Sequence, residues 1–282
     1  MHPDPSSRAP VFPELTEDVV GRIAATADAR VREVMELLIR HLHAFVREAS
    51  PSHEEWRNAI EFLTRTGKMC SDNRQEFILL SDILGVSMLV DAVNNRAGAG
   101  LTDSTVLGPF YAGPQRELRH GDPILLRDED GPPLVVEGTV RSRNGDPIRD
   151  ALVEVWQTAP NQLYDVQDDA QPEGHLRASF RTDNRGNFRF RSVLPVSYPI
   201  PDDGPAGQLL QMMGRHPFRP AHVHFMISAS GHRTLVTHLF LSGDAYLESD
   251  AVFGVKPSLI VTPEERDGSF RIAYRFGLEP LG

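Results

Sequence analysis

The run RPAHVHFMIS at residues 219–228 decides the fold class of this chain. From His222 to Ser228 apolar residues alternate with the two histidines and recur at every second position, which is typical of a strand. Similar short runs recur through the second half of the chain, separated by turn signals such as Asn144-Gly145-Asp146 and Asp183-Asn184-Arg185-Gly186. The predicted strands are Leu134–Val140, Ala151–Gln157, Asn187–Ser192, His222–Ser228, Leu235–Leu241 and Phe270–Phe276. Many short strands with few helix signals predict a β-sandwich or barrel.

The first third of the chain has a helical pattern instead. Apolar residues recur at three- and four-residue steps from Val31 to Val46 and form one stripe. A second helix is predicted to start at Ser52, which forms a capping box with Glu55. A third helix is predicted from Arg74 to Asn94, with apolar residues on nearly all sides. We therefore expect the third helix to be buried, either inside the protein or at an interface.

Together these patterns predict an α+β protein with two domains. We assign residues 1–14 to a flexible tail, residues 15–106 to a helical domain and linker, and residues 107–282 to a β-sandwich domain. The tail is rich in proline, as loosely ordered termini often are. A long loop at residues 195–221 carries six prolines and leads directly into the histidine pair of the opening run. Loops of this length in compact domains are often functional.

The composition argues against several classes of protein. The chain has 29 Lys and Arg against 39 Asp and Glu, a net charge of −10, which disfavours binding to nucleic acid. Its one cysteine, Cys70, rules out an internal disulfide framework, a cysteine-rich zinc site and an all-cysteine iron–sulfur cluster. We see no signal-peptide pattern and no apolar run of about 18 residues. We therefore expect a cytoplasmic protein that does not bind membranes.

Two His-x-His pairs are candidate metal ligands. His41 and His43 lie in a predicted helix, where side chains two residues apart point about 200° away from each other and cannot share a metal. His222 and His224 lie in a predicted strand, where residues two apart point to the same side. The strand pair therefore forms half of a metal site. On local sequence alone, a pair of exposed histidines on a solvated strand face is equally plausible.

Oxygen donors from elsewhere in the chain would have to complete such a site. No carboxylate follows His224 until Asp244, and the chain lacks the thiolates of a cysteine site. The five tyrosines are Tyr111, Tyr164, Tyr198, Tyr246 and Tyr274. Each is either a ligand or an aromatic packing residue with a polar tip, and packing is the commoner role for a single tyrosine.

Four segments give the chain a family resemblance. They are LGPFY at residues 107–111, VEVWQ at 153–157 followed by Tyr164, LPVSYPIP at 194–201, and RPAHVHF at 219–225. In this order they resemble the intradiol ring-cleaving catechol dioxygenases. LYDVQ at 163–167, the TH-x-F run at 237–240 and VFGVK at 252–256 make the chain most similar to the hydroxyquinol 1,2-dioxygenases of that family.

The resemblance implies a non-haem Fe(III) site with one ion per chain. Tyr164, Tyr198, His222 and His224 match the protein ligands of that family. It implies that Tyr198 leaves the metal with a proton when substrate binds. It also places Arg219 beside the substrate as a fixed cation, although a structural salt bridge is the alternative. His238 stands where catechol dioxygenases usually carry glutamine, and we assign it a catalytic role because of that position.

The resemblance also implies a substrate pocket lined by the third helix and the LGPFY loop. The matching positions are Leu79, Asp82, Val106, Leu107, Gly108, Pro109, Phe110, Ile200 and Pro201, together with Arg219. Leu79 and Asp82 are three residues apart on one helix face and form one wall. Asp82 stands among apolar neighbours, and a buried acid needs a partner. That partner is either the third hydroxyl of hydroxyquinol or a base such as Arg74.

The implied activity is cleavage of hydroxyquinol, 1,2,4-trihydroxybenzene, between adjacent hydroxyl-bearing carbons. Both atoms of O₂ enter the product, a hydroxymuconate or its tautomer maleylacetate, in the catabolism of aromatic compounds. Alternatives are a catechol or chlorocatechol 1,2-dioxygenase that yields a cis,cis-muconate, a non-catalytic binding module, and a zinc hydrolase using His222 and His224. The resemblance further implies a homodimer through the helical region, with a phospholipid-like amphiphile in an apolar tunnel.

Overall fold

The computed structural model describes residues 12–71, 74–95 and 98–281. The chain forms two compact units, Met1–Thr64 and Arg65–Gly282. The predicted domain boundaries at residues 14 and 106 remain predictions, and most of the predicted tail lies outside the described residues. Among the described residues, no helix is both long enough and apolar enough to cross a membrane.

The first unit is helical. Helix α1 spans Pro13–Ile23, helix α2 spans Ala29–Ala49, and helix α3, His53–Lys68, begins within this unit. The predicted capping box is present, because the Ser52 amide donates to the Glu55 carboxylate at 2.7 Å and the Glu55 amide donates to the Ser52 hydroxyl at 3.1 Å. These bonds satisfy two amides that have no partner within the helix.

The predicted third helix is two helices, so that prediction is corrected. Helix α4 spans Glu76–Ile83 and helix α5 spans Val86–Asn94. Gly85 separates them because its backbone is left-handed, with a φ of 71°, a conformation that a glycine adopts without strain. The break aims part of α4 inward, where Leu79, Asp82 and Ile83 are buried.

A buried carboxylate fixes α4 against helix α6, Pro205–Met212. Glu76 is fully buried and accepts hydrogen bonds from the Ala206 amide at 3.0 Å and from Arg74 at 2.8 Å. Arg74 also bonds the Asp203 carboxylate at 2.8 Å. Because Arg74 is committed to Glu76 and Asp203, the ion pair between Arg74 and Asp82 that we considered from the sequence is absent.

The rest of the second unit is a β-sandwich, as predicted. Its strands are β1 Pro133–Ser142, β2 Leu152–Trp156, β3 Arg177–Arg181, β4 Asn187–Val193, β5 Tyr198–Pro199, β6 Phe218–Arg219, β7 His222–Ser228, β8 Leu235–Leu241, β9 Ile260–Val261, β10 Glu264–Arg266 and β11 Ser269–Leu278. All six predicted runs form strands, whereas β3 and the short strands were not predicted. One sheet has the order β10-β11-β1-β4, the second has the order β3-β2-β7-β8-β9, and β5 pairs with β6 in a separate ribbon.

The hydrophobic core lies between the two larger sheets. The four-stranded sheet contributes Phe188 and Phe276, and the five-stranded sheet contributes Val223, Phe225 and Ile227. Since side chains alternate along a strand, the inward-pointing residues of β7 leave the two histidines on its other face. The strand therefore supplies the sandwich core with one face and the candidate site with the other.

Candidate metal centre and active site

His222 and His224 are both buried, with 1% of each residue exposed. Their Nε2 atoms are 3.1 Å apart, and the Nδ1 of His222 lies 2.7 Å from the Pro220 carbonyl oxygen. A carbonyl only accepts, so His222 carries its proton on Nδ1, and its Nε2 is free to ligate. Burial lowers the pKa of both rings well below the usual value. For His222 the charge of Arg219 lowers the pKa further. The alternative of an exposed histidine pair is therefore wrong, and both imidazoles are neutral donors.

Two of the five tyrosines join this pair. Tyr164 follows β2, and Tyr198 belongs to β5, whose pairing with β6 brings it to the site. The Tyr164 hydroxyl lies 2.9 Å from Nε2 of His224 and 3.2 Å from the Tyr198 hydroxyl. Both phenols are buried.

The remaining tyrosines have other partners. Tyr111 donates to the Glu154 carboxylate at 3.0 Å, and burial together with Glu154 raises the pKa of Tyr111 to about 12. Tyr246 stacks on Phe218 at a centroid distance of 4.8 Å. Tyr274 donates to the Ser258 carbonyl at 3.0 Å. These three therefore have the packing role that is common for single tyrosines.

The donor atoms of these four side chains have the spacing of neighbouring ligands around a metal ion. Their neighbouring separations are 2.9, 3.1 and 3.2 Å. Donors at neighbouring positions around an ion with bonds of about 2.0–2.1 Å lie about 2.9–3.4 Å apart. Burial raises the pKa of both phenols, so in this dry site only a strong cation would favour their ionised form. Two phenol oxygens and two neutral imidazoles suit a hard, highly charged transition metal.

Arg219 is both a salt-bridge residue and a neighbour of the donors. Its guanidinium bonds the Asp250 carboxylate at 3.1 and 3.3 Å, and both side chains are buried. The same guanidinium lies 3.4 Å from Nε2 of His222. Burial opposes its charge, but Asp250 and the phenols outweigh burial and raise the pKa of Arg219. The salt bridge that we weighed from the sequence is therefore present, and the role of Arg219 beside the substrate stays a prediction.

His238 lies beside the donor cluster. It stands directly opposite His224 in the β7–β8 ladder, with a ring-centroid distance of 4.1 Å, and it is fully buried. A guanidinium only donates, so the 3.5 Å approach of Arg219 to its Nδ1 places the His238 proton on Nε2. Within the described part of the chain, that Nε2 has no hydrogen-bond partner. Its predicted catalytic role stays a prediction.

The predicted pocket residues fall into two groups. Phe110 stacks on Tyr164 at 4.6 Å, and a Cβ on Gly108 would lie 3.5 Å from the His224 ring. Leu79, Asp82 and Ile200 are buried. Val106 and Pro201 are half-buried, whereas Leu107 and Pro109 are exposed. Gly108 and Phe110 are thus the residues of the LGPFY loop that the structure places against the donors.

Asp82 remains near the site without an ion pair of its own. Within the described residues, no cation lies within salt-bridge distance of its carboxylate, and it accepts a hydrogen bond from Ser87. Burial raises the pKa of Asp82, while the hydrogen bond and the charge of Arg219 act in the opposite direction. A buried acid in this setting is available to a polar group of a ligand.

Sequence reasoning missed several residues of the site. Asp250 holds Arg219 and also accepts from the amides of Val252 and Gly254 at 3.3 and 2.9 Å. A Cβ on Gly254 would lie 2.9 Å from the Arg219 guanidinium, so this close approach requires glycine. Trp156 stacks on His224 at 4.7 Å. The only available signal was position, since Trp156 and Gly254 lie within segments that carry the family resemblance.

Comparison with known proteins agrees with this geometry. A family model described as "Catechol dioxygenase N terminus" matches residues 28–102, and one described as "Dioxygenase" matches residues 106–280. The chain is 46% identical over 267 residues to 6-chlorohydroxyquinol 1,2-dioxygenase of Cupriavidus pinatubonensis, covering 94% of this chain and 96% of the relative. It is 49% identical over 245 residues to hydroxyquinol 1,2-dioxygenase of a Rhizobium species, covering 86% of this chain and 83% of the relative.

Solved structures agree as well. The crystal structure of hydroxyquinol 1,2-dioxygenase from Pseudomonas putida DLL-E4 matches with a TM-score of 0.89 and 45% identity, covering 95% of this chain and 98% of that one. Chlorocatechol 1,2-dioxygenase from Pseudomonas putida matches with a TM-score of 0.80 and 30% identity, covering 89% of this chain and 99% of that one.

Proposed function

Because the chain belongs to the intradiol ring-cleavage dioxygenase family, we propose that it cleaves hydroxyquinol with O₂. The carbon–carbon bond between two adjacent hydroxyl-bearing carbons breaks, and each of these carbons gains one oxygen atom. The product is hydroxymuconate or its tautomer maleylacetate. The observation that carries the proposal is the buried cluster of Tyr164, Tyr198, His222 and His224, whose neighbouring donor atoms lie 2.9–3.2 Å apart.

We infer that these four side chains hold one Fe(III) per chain. Two phenolates stabilise a trivalent ion over a divalent one, and two neutral imidazoles complete the set. When bound, ferric iron supplies Lewis-acid activation of the ring and a template for its adjacent oxygens. The zinc alternative is less well supported, because a zinc hydrolase has no need of two buried phenols.

The protein's own groups then bind and orient the substrate and move its protons. Tyr198 Oη accepts a proton from a substrate hydroxyl, as general-base catalysis requires a group within hydrogen-bond reach. Arg219, fixed by Asp250, keeps a cation where negative charge develops on the ring. Phe110, which stacks on Tyr164, and the buried residues Leu79 and Ile83 of α4 would keep water away from the substrate. His238 contributes a fixed N–H donor beside the same point.

Asp82 is proposed to bind the third hydroxyl of hydroxyquinol. Catechol lacks this hydroxyl, so it would leave the buried acid without its partner. We expect a preference for hydroxyquinol over catechol, as the ratio of kcat/KM, on the order of 10-fold to 100-fold. Asp82→Asn should retain turnover of catechol and lose most of the preference.

A matched control makes this test specific. Asp91→Asn removes an acid on α5 whose carboxylate bonds Lys256 at 3.1 Å, and it should leave the preference unchanged. An identical ratio of kcat/KM for the two substrates in wild type and Asp82→Asn would show that Asp82 does not recognise the third hydroxyl. A wild-type preference for catechol would favour the catechol 1,2-dioxygenase alternative.

The test of the function itself combines metal analysis with oxygen uptake. The isolated protein should contain about one iron per chain and absorb broadly in the visible, because phenolate-to-Fe(III) charge transfer is coloured. Oxygen uptake should be measured with hydroxyquinol, catechol, protocatechuate and chlorocatechols. Stoichiometric zinc without iron would overturn the proposal, and a colourless protein without oxygen uptake would favour a binding module.

We also propose that two copies associate through the helical region. On α2, Leu42 and Phe45 are 51% and 63% exposed, and on α5, Leu89 and Val93 are 65% and 64% exposed. Exposed apolar surface of this kind marks an interface or lipid contact. The phospholipid-like amphiphile implied by the family resemblance would occupy apolar space of this region. The expected cytoplasmic location stays a prediction.

Light scattering should therefore give about twice the chain mass of 31.4 kDa. Leu42→Glu combined with Phe45→Glu should shift the mass toward that of one chain, because a buried carboxylate would be unpaired. Glu48→Gln, on the same helix, is the control and should leave the mass unchanged. A monomer across micromolar concentrations of wild type would contradict the proposal.

A further inference from the structure

Arg177 is a buried cation that the proposed reaction does not use. It is the first residue of β3, and 1% of it is exposed. Its Nε donates to Oδ1 of Asp165 at 2.5 Å, and its Nη1 donates to the Phe110 carbonyl at 2.6 Å. The other oxygen of Asp165 accepts from the Gly174 amide at 2.9 Å. One guanidinium thus joins three separate segments of the chain.

All of these contacts surround Tyr164. Asp165 is the next residue in the chain, and the Phe110 ring stacks on the Tyr164 ring at 4.6 Å with an interplanar angle of 24°. The guanidinium carbon of Arg177 lies 5.6 Å from the centroid of the Tyr164 ring, within the range of a cation–π contact. Arg177 therefore contacts the Tyr164 ring directly, and it also bonds two neighbours of Tyr164. These are Asp165, the next residue in the chain, and Phe110, whose ring stacks on Tyr164.

We propose that Arg177 and Asp165 form a positioning pair that holds Tyr164 at the metal and sets the energy of its phenolate electrons. The proposal rests on the proposed function, because it takes Tyr164 to be a metal ligand. Groups that orient a ligand typically change metal affinity 10- to 100-fold when they are removed. The metal ion that Tyr164 would bind is ferric iron or a similarly hard cation.

Stability alone does not account for this pair. A buried ion pair often contributes no more to folding than apolar residues of the same volume, because both charges lose their hydration. Here both partners are buried, with 1% and 4% of their side chains exposed, and Nη2 of Arg177 has no hydrogen-bond partner within the described residues. What the pair does achieve is geometric, since it links the residue after Tyr164 to the backbone of Phe110, whose ring stacks on Tyr164.

The two phenols therefore have different supports. Tyr198 pairs in register with Arg219 in the β5–β6 ribbon, while Tyr164 is held by Arg177, Asp165 and Phe110. The positioning pair of Arg177 and Asp165 restrains Tyr164, which follows β2 and does not belong to a described strand. Tyr164 is thus the phenol built to stay in place, which agrees with Tyr198 as the one that accepts a proton.

The test uses Arg177→Met and Asp165→Asn in the full iron-loaded protein. Both variants should release iron to a chelator about 10 to 100 times faster than wild type. Their visible bands should move in opposite directions. Loss of the Arg177 cation destabilises the phenolate electrons and shifts the charge-transfer band to longer wavelength. Loss of the Asp165 anion leaves the cation less compensated and shifts the band to shorter wavelength.

Two further variants separate position from charge. Arg177→Lys keeps a cation but loses the simultaneous hydrogen bonds of the guanidinium to Asp165 and to the Phe110 carbonyl. Iron release should therefore be fast while the visible band stays near that of wild type. Arg181→Met is the matched control, because Arg181 ends the same strand and forms an exposed ion pair with Glu117 at 3.3 Å. It should match wild type in both measurements.

The outcomes are distinguishable. If Arg177→Met and Asp165→Asn release iron at the wild-type rate, the positioning role is overturned. If both bands shift the same way, the electrostatic part is overturned. If Arg177→Met does not fold, Asp165→Asn and Arg177→Lys decide by the same criteria. If wild type itself binds no iron and has no visible band, the proposed function fails instead.

Discussion

Arg219→Met is expected to lower the free energy of unfolding by about 3–5 kcal/mol, because it leaves a buried carboxylate without its cation. Among the described residues, Asp250 would keep only the amides of Val252 and Gly254 as hydrogen-bond partners of its carboxylate. The same substitution should lower kcat by about 10²-fold to 10³-fold, since it removes the fixed cation beside the donor cluster. Urea unfolding and steady-state oxygen uptake measure the two effects.

A double variant separates the two roles of Arg219. Arg219→Met combined with Asp250→Asn removes both charges and should restore most of the lost stability, but not the activity. Arg233→Met removes an arginine that is 56% exposed and lies 3.6 Å from Glu279, and should change stability by no more than about 1 kcal/mol. If the double variant were as unstable as the single one, the buried Asp250 charge would not be the cause.

Tyr164→Phe and Tyr198→Phe are expected to have different effects. Each removes one phenol oxygen from the cluster and should shift the visible band. Tyr164→Phe should chiefly lower iron content, because Tyr164 is the phenol that we propose is held in place at the metal by Arg177, Asp165 and Phe110. Tyr198→Phe should also lower kcat by about 10²-fold to 10⁴-fold, since it removes the group that we propose accepts the substrate proton.

Absorption spectra, iron content and kcat of purified variants give these readouts. Tyr246→Phe is the matched control, because Tyr246 packs on Phe218 and its ring contact does not depend on the hydroxyl. It should match wild type in all three. Unchanged spectra and activity in both ligand variants would show that the two phenols do not bind the metal.

Much of the sandwich and half of the candidate metal site follow from local sequence. The alternation in β7 predicts a strand, and it also predicts that His222 and His224 share one face. The other two donors were identified from the family resemblance rather than from spacing. Tyr164 and Tyr198 lie in or beside loops, 34 residues apart, where no periodic pattern indicates a direction.

The helical pattern of residues 74–94 predicted the helix type but not the break between α4 and α5. Apolar residues nearly surround the stretch Arg74–Asn94, and this predicted one long helix. The structure breaks it at Gly85, which packs against Phe253, so that a Cβ there would lie 3.4 Å from that ring. Helix propensity is a weak preference that such a tertiary contact overrides.

The sequence by itself determined the class of the fold, most of the strands and the orientation of the histidine pair. These depend on side-chain periodicity, which the backbone geometry of a strand fixes locally. Only the tertiary structure decided which charges meet. Arg219 pairs with Asp250, 31 residues away, and Arg177 joins Asp165 to Phe110, 67 residues away. Such pairings depend on how loops pack after the sheets have formed, and the burial that makes them strong exists only in the folded chain.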